Sequence, residues 1–410
     1  MKKIKREIYL KRIRPYYESD LIKTITGIRR CGKSVILSQI IDEIKEYVDN
    51  DHIIKIDLES IEGRKIKTCE KLEEKITSLI KDDLKYYIFI DEIQNINKFE
   101  IAIAAIRVSV NCSIFVTGSN SKLLKGKLQD KLTGRAKEFE IHPFTYNEYL
   151  NFYKTNSIEL DKDEAFNDFL KLGGMPQRFN ESNELESRKY LRGIYESIIE
   201  KDVFTKHKKI NKSEFIRVAS YVLSESGKPF SSMSAAKHLD HGITNKEAKA
   251  KSITINNYID YLIECYLIAE CSPHYTKGIE RLNGTKKYYP LDVGIKNSLV
   301  SSIRPDETFS LEGIIYNELV VRGYEVFYER LRNGEIDFTV VDGHKKCFIQ
   351  ISYYMESETT LNREYGALQK IKDESPKFVI SLDKKDSSRN GITHLNAIDF
   401  LTGKVDIILS

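Results

Sequence analysis

Short β-branched apolar runs alternate with amphipathic stretches along the first third of the chain, and the alternation then gives way to long helical patterns. Leu21 to Thr26, the run IIKIDLES, the run YYIFIDEIQ and Cys112 to Val116 read as strands; helices are predicted from Val35 onward, around residues 69 to 82 and near residues 97 to 110. Strands separated by helices favour an α/β core with a parallel sheet, here residues 1–150. HPFTYNEYL begins the exit toward a more helical region, residues 151–300. There FNDFLKLGGMPQRF holds a glycine turn, YLRGIYESIIEKDVF and SEFIRVASYVLSESG carry apolar positions at helical period, and KSITINNYIDYLIECYLIAECS reads as a helix, a turn and a strand. Residues 301–410 return to an α/β pattern that ends with a helix over Glu358 to Lys372.

Composition narrows the class. At 410 residues the chain is long enough for two or three domains. With 41% hydrophobic and 31% charged residues it can fill cores and cover a surface, which excludes wholesale disorder and a fibrous repeat. The 65 basic and 61 acidic side chains leave a net charge of +4, too small on this length to advertise nucleic acid. Cys31, Cys69, Cys112, Cys265, Cys271 and Cys347 form no C-x-x-C pair, which argues against a zinc knuckle or a disulfide-stapled secreted domain and for a cytoplasmic protein. No run approaches the roughly 20 apolar residues of a membrane span, and the charged start MKKIKREIYLKRIRPYYESD is not a signal peptide, so no membrane partner is expected.

The strongest chemistry lies early. Gly27 to Ser34 match G-x-x-x-x-G-K-S between a strand and a helix, the order a phosphate loop requires. Gly27 and Gly32 let the backbone wrap a phosphate, and the following helix points free amides at negative charge. Gly27, Ile28, Arg29, Arg30, Cys31, Gly32, Lys33, Ser34 and Val35 are therefore the expected ATP-binding set; Lys33 reaches the terminal phosphates and the Ser34 hydroxyl binds Mg²⁺. Arg29 and Arg30 fit steering rather than catalysis. A second site follows the apolar run before Asp91 and Glu92, placed as at the catalytic end of a buried parallel strand. Successive strand side chains point apart, so Asp91 is assigned to the metal and Glu92 to activation of water. The next strand ends in Thr117-Gly118-Ser119-Asn120-Ser121, whose polar tip offers Ser119 or Asn120 to the γ-phosphate or the water, with turn chemistry as the plain alternative.

GIRRCGKS, YYIFIDEIQ and IFVTGSNSKLLKGKLQDKLTGRAKEFEIHPFTYNEYL together resemble the predicted prokaryotic AAA+-type ATPases that carry a C-terminal domain of uncharacterised function, and the resemblance runs over nearly the whole chain. It implies that Lys33 and Ser34 are Walker A positions, Asp91 and Glu92 Walker B, and Thr117 to Asn120 the sensor strand. It also implies that Arg135, in Leu-Thr-Gly-Arg, serves phosphoryl transfer within one chain or across an assembly. A solvated surface arginine is the plain reading of that residue.

The middle region is winged-helix-like, with Thr254, Asn256 and Asn257 on a recognition-like helix and Lys251 nearby; packing against protein is the structural alternative to binding DNA. KYYPLDVGIKNSL offers no evident chemistry. LEGIIYNELVVRGYEVFYER resembles the first helix and strand of a restriction-endonuclease-like fold, and Glu312, Asp337 and Gln350 stand where oxygen ligands of a metal-dependent nuclease would. The lysine expected two residues after Gln350 is Ser352, and Lys345 and Lys346 lie on the preceding turn. A degenerate, docking form of that fold is the expectation, with Asp337 satisfying a core and Glu312 an exposed helix acid.

The resulting expectation is an ATPase that uses ATP and Mg²⁺ to drive a conformational switch on an unknown protein partner, with Lys33, Glu92, Asn120 and Arg135 catalytic. A DNA-associated ATPase is the alternative, and DNA cleavage ranks below it. A homo-oligomer follows if Arg135 acts in trans.

Overall fold

A computed structural model describes residues 2–119, 134–274, 285–299, 307–331 and 334–410. It resolves into two compact units, one formed by Lys3–His142 together with Glu264–Tyr266, the other by the remainder.

The first unit is built on five strands, β1 Ile22–Thr26, β2 Ile53–Asp57, β3 Tyr86–Asp91, β4 Cys112–Thr117 and β5 Ala136–Glu140, in the order β2-β3-β4-β1-β5. All neighbours are parallel, so every strand ends at the same edge. Every residue of β1 and β3 is buried, as expected of strands covered on both faces. Even Lys23 is fully buried: its ammonium donates to the Ser19 carbonyl at 2.9 Å and to Ser113 Oγ at 2.7 Å, and lies 4.6 Å from the Phe115 ring centre. One face packs Ile54, Ile88, Ile90 and Ile114 against Leu72 and Ile76 of the helix Cys69–Thr77 and Phe99, Ile103 and Ile106 of the helix Phe99–Ser109. The helix after β1 spans Lys33–Ile44, starting two residues before Val35, and buries Ile36, Leu37, Ile40, Ile41 and Ile44 at helical spacing.

In the second unit, helices Tyr146–Thr155, Lys162–Leu172 and Glu184–Ile198 lead into the helices Lys212–Ser224, Ser232–Leu239 and Asn245–Glu264, followed by the antiparallel pair β6 Ile268–Cys271 and β7 Lys287–Pro290. Buried Asp292 fastens this region: it accepts from the Gly174 amide at 2.8 Å and caps the next helix through the Ile295 amide at 2.9 Å.

The end of the chain forms a mixed sheet of β8 Glu325–Leu331, β9 Gly334–Asp342, β10 Lys345–Ile351, β11 Lys377–Ser381 and β12 Ile392–Asn396, in the order β12-β11-β10-β9-β8. β8 to β10 pair antiparallel and β10 to β12 parallel. The crossover helix Glu358–Gln369 is capped by Ser357 and seats Tyr365 and Leu368 on Ile336, Phe348 and Val379.

Candidate active site

The site is assembled at the shared end of β1, β4 and β3. Gly27 leaves β1 at φ +135°, and a Cβ there would lie 2.1 Å from the Ile141 carbonyl oxygen, so the turn admits only glycine. Gly32, at φ +106°, opens the helix. Ile28 and Cys31 are fully buried, so their side chains hold the loop to the core and only their main chain faces outward chemistry; burial pushes the Cys31 thiol up. Arg30 and Ser34 are exposed, Arg29 and Val35 half-buried. The buried Lys33 ammonium donates to the carbonyls of Gly27 and Ile28 at 3.0 and 3.1 Å, spanning the loop.

Arg6 is one of the residues that the sequence did not single out. Its guanidinium is buried beneath the loop, where Nη1 donates to the carbonyls of Cys31 at 2.9 Å and His142 at 3.0 Å. Its place in a basic run gave no signal, because such runs are usually solvated.

Asp91 ends β3 buried, with the Thr117 hydroxyl donating to its Oδ1. Glu92 departs from the expectation of a continuing strand: it adopts φ 58° and ψ 48°, and its amide donates to Thr117 Oγ1 at 2.9 Å. Thr117 therefore ties the acid pair to the tip of β4, and the left-handed backbone, not strand alternation, sets the two carboxylates apart. Gln94 Nε2 donates to Glu92 Oε2 and, at 3.4 Å, to Ser119 Oγ. Asn120 lies outside the described residues.

Arg135 stands elsewhere. It precedes β5, its carbonyl accepts from the Ile22 amide at 2.9 Å, and its side chain is exposed. β1 and β5 run parallel with Ile22 opposite Ala136 and Thr26 opposite Glu140, so Arg135 sits at the start of the strands and Gly27 at their end. Arg135 is thus level with Leu21, six residues before Gly27, and at about 3.3 Å per residue that is roughly 20 Å along the sheet. At the loop end, Thr26 Oγ1 donates to Glu138 Oε1 at 2.9 Å, and buried Tyr266, held at φ 60°, places its hydroxyl 3.5 Å from the same oxygen. Nothing in the sequence pattern linked Tyr266 to this strand.

A second polar cluster lies in the other unit. Lys287 of β7 is fully buried and its ammonium contacts Glu335 at 2.8 Å, Glu312 at 3.3 Å and Asp337 at 4.0 Å. Burial opposes its charge, but the three carboxylates hold its pKa above the ordinary lysine value. Burial raises Glu312, and raises Asp337 well above the carboxylate range with help from the charge of Glu312. Glu312, expected as an exposed helix acid, is thus buried, and the KYYP segment, expected to be chemically silent, supplies a lysine to it. Asp337 Oδ2 accepts from the Ile351 amide at 2.8 Å, and Gln350 Oε1 from the Asp337 amide at 3.4 Å, extending the β9–β10 ladder through side chains. Glu312, Glu335, Asp337 and Gln350 line a cavity of about 470 Å³ with Asn362, Arg363 and Lys370. Lys346 is taken by Asp373 at 2.7 Å. On the recognition-like helix Asn256 and Asn257 are exposed and Thr254 is half-buried, while Lys251 is paired with Asp240 and Glu214. Among the described residues no group of three or more His, Cys, Asp or Glu is arranged to hold a metal ion, and no helix is long and apolar enough to cross a membrane.

Residues 19–150 match the family model of the AAA domain, and residues 163–307 that of a domain of unknown function (DUF8612). Over 405 residues the chain is 28% identical to an uncharacterised protein of Haemophilus influenzae, covering 97% of this chain and 98% of that one. Over 386 residues it is 30% identical to the uncharacterised protein MJ1544 of Methanocaldococcus jannaschii, covering 91% of this chain and 82% of the relative. Among solved structures, the Walker-type ATPase paby2304 of Pyrococcus abyssi shares the fold, with a TM-score of 0.52 at 16% identity over 72% of this chain and 96% of that one.

Proposed function

The chain belongs to the family of the archaeal protein MJ1544 and carries an AAA-type, nucleotide-binding ATPase domain at residues 19–150; from that premise we propose that it hydrolyses ATP with Mg²⁺ to drive a conformational switch. The observation that carries this reading is the Thr117 hydroxyl, which joins Asp91 and the Glu92 amide at the strand edge where the Gly27–Ser34 loop begins. Loop amides and Lys33 bind the phosphates, and Glu92 takes a proton from the attacking water. The Asp91 carboxylate and Ser34 hydroxyl are hard oxygen donors of the kind Mg²⁺ takes, and bound Mg²⁺ neutralises charge on the β- and γ-phosphates. Ser119 or Asn120 contacts the γ-phosphate or water from the tip of β4. Arg135, far from its own loop, fits a partner copy's phosphate, which makes a homo-oligomer part of the proposal. Magnesium-dependent turnover by the intact protein, with retained ATP binding but lost hydrolysis in Glu92→Gln, is the test; a protein that folds and neither binds nor hydrolyses ATP refutes it.

A second reading is DNA association. Three helices followed by the β6–β7 pair have the winged-helix order, and Lys246, Lys249, Asn256 and Asn257 are exposed on the third helix. Salt-sensitive binding and stimulation of turnover by duplex DNA support it; equal rates with and without DNA favour a protein partner. For the C-terminal sheet we propose a degenerate restriction-endonuclease-like domain that docks rather than cuts, because the Lys287 ammonium holds the carboxylates a catalytic cation would need. Metal-dependent cleavage abolished by Asp337→Ala would reverse that assignment. Three functional regions, residues 1–150, 151–300 and 301–410, remain the proposed division of labour, in a cytoplasmic setting.

A further inference from the structure

We propose that Gln94 positions Glu92 and supplies the second acceptor for the attacking water, an inference that rests on the reading of Glu92 given above. Glu92 is held twice: its amide by Thr117 at the end of β4, and its carboxylate by the amide group of Gln94, two residues on, which also touches Ser119 just beyond β4. A carboxylate accepts and does not donate, so the nitrogen end of that amide is the one that faces Glu92. The oxygen end, Oε1, is a buried acceptor with no donor among the described residues. A buried acceptor left unmatched is costly, and both ends of the amide hang on one carbon, so a water admitted beside Glu92 would satisfy Oε1 as well.

Such a water gives one O–H to Glu92 and the other to Gln94 Oε1, which leaves an oxygen lone pair to attack phosphorus. The new O–P bond forms as the bond from Pγ to the ADP oxygen breaks, and ADP leaves with the electron pair. One water proton passes to Glu92 and then to the released phosphate; Gln94 neither gains nor loses a proton. Its contact with Ser119 also means that any shift of the β4 tip on phosphate binding reaches Glu92 through this side chain.

ATP turnover and ATP binding by Gln94→Leu and Gln94→Glu, set beside the intact protein and Glu92→Gln over a range of pH, test the proposal. Gln94→Leu removes donor and acceptor at similar length; its kcat is expected to fall about a hundredfold while its affinity for Mg-ATP changes less than about threefold. Gln94→Glu sets a second carboxylate beside Glu92, so the acid limb of its kcat–pH profile is expected to move upward, as a charge in contact with the base requires. Near-intact kcat in Gln94→Leu, a loss matched by equal loss of binding, or a Gln94→Glu profile lowered uniformly at every pH overturns it. If Gln94→Leu does not fold, Gln94→Asn decides, since it keeps the amide on a shorter stem: kcat lost with affinity for Mg-ATP kept supports the proposal, and near-intact kcat overturns it. Absence of turnover in the intact protein refutes the ATPase reading instead, and an active Glu92→Gln refutes the role of Glu92.

Discussion

The guanidinium of Arg6 donates to the carbonyl oxygen of Cys31 at 2.9 Å, so the phosphate loop is anchored by a residue that precedes the sheet. The same Nη1 holds the His142 carbonyl at 3.0 Å, joining the segments before and after the sheet to the loop. Arg6→Ala strips both buried carbonyls of a charged donor, and a loss of about 3 kcal/mol is expected. A melting temperature lowered by several degrees, together with weaker ATP binding, would be the result; unchanged melting would show that the loop holds itself.

The two loop glycines are not equivalent. A Cβ on Gly27 meets the Ile141 carbonyl oxygen at 2.1 Å, whereas one on Gly32 meets the Arg6 Nη1 at 3.6 Å, an ordinary contact. Gly27→Ala is therefore expected to abolish ATP binding, and Gly32→Ala, strained only by its positive φ, to weaken it. Titration with a non-hydrolysable ATP analogue separates them, and equal effects would contradict the close approach.

Arg135 lies at the opposite end of its strand from the loop. Mixing Arg135→Ala with Glu92→Gln is expected to restore part of the turnover that each lacks alone, because a mixed pair of neighbours contains one complete site. Turnover per chain of the intact protein is also expected to rise with concentration. Neither effect would appear if Arg135 were an ordinary surface charge.

Burial, with a smaller push from Lys85, lowers the pKa of Lys23 from 10.5 to about 7. Between those values the unfolded chain binds a proton that the folded one does not, so stability rises as pH goes from about 7 to 10.5. Lys23→Met removes that contribution, and its melting temperature should climb less steeply over the same range. An unchanged slope would mean that Lys23 stays charged when folded.

Lys287→Met leaves Glu312, Glu335 and Asp337 without their shared cation, an expected cost of about 3–5 kcal/mol. Burial already raises Glu312 and Asp337, and a raised acid binds its proton more tightly in the folded chain, so stability falls as pH rises through the folded pKa. Without Lys287 those values climb further. The deficit of the variant, followed by denaturant titration, is therefore expected to be larger in alkali than in acid; a pH-independent deficit would point to lost packing alone.

What was legible in the sequence is what lies contiguous in it. Gly27 to Ser34 and the apolar run into Asp91 and Glu92 declare themselves because loop, strand end and charge follow one another in the chain, and parallel pairing then carries them to one edge. Lys23 did not obscure β1, since its β-branched neighbours outweigh one amphipathic side chain whose stem packs as a hydrophobe. Arg6, Lys287 and Tyr266 were not legible, because each acquires its role from a partner distant in sequence, such as Glu138 for Tyr266. Glu92 is an intermediate case: its identity was readable, but its left-handed backbone depends on Thr117, 25 residues on.

Residues Glu264–Tyr266 belong to the nucleotide-binding unit although the helix before them and the strand after them belong to the other. The chain is thus threaded back through its first part rather than strung from one part to the next. A cassette ending near residue 150 would be missing Tyr266, and a replacement for everything downstream would have to restore an aromatic beside Glu138 to complete the edge. Recombination that swaps the distal half is therefore penalised at the nucleotide-binding end, and the two halves are expected to be inherited as one piece.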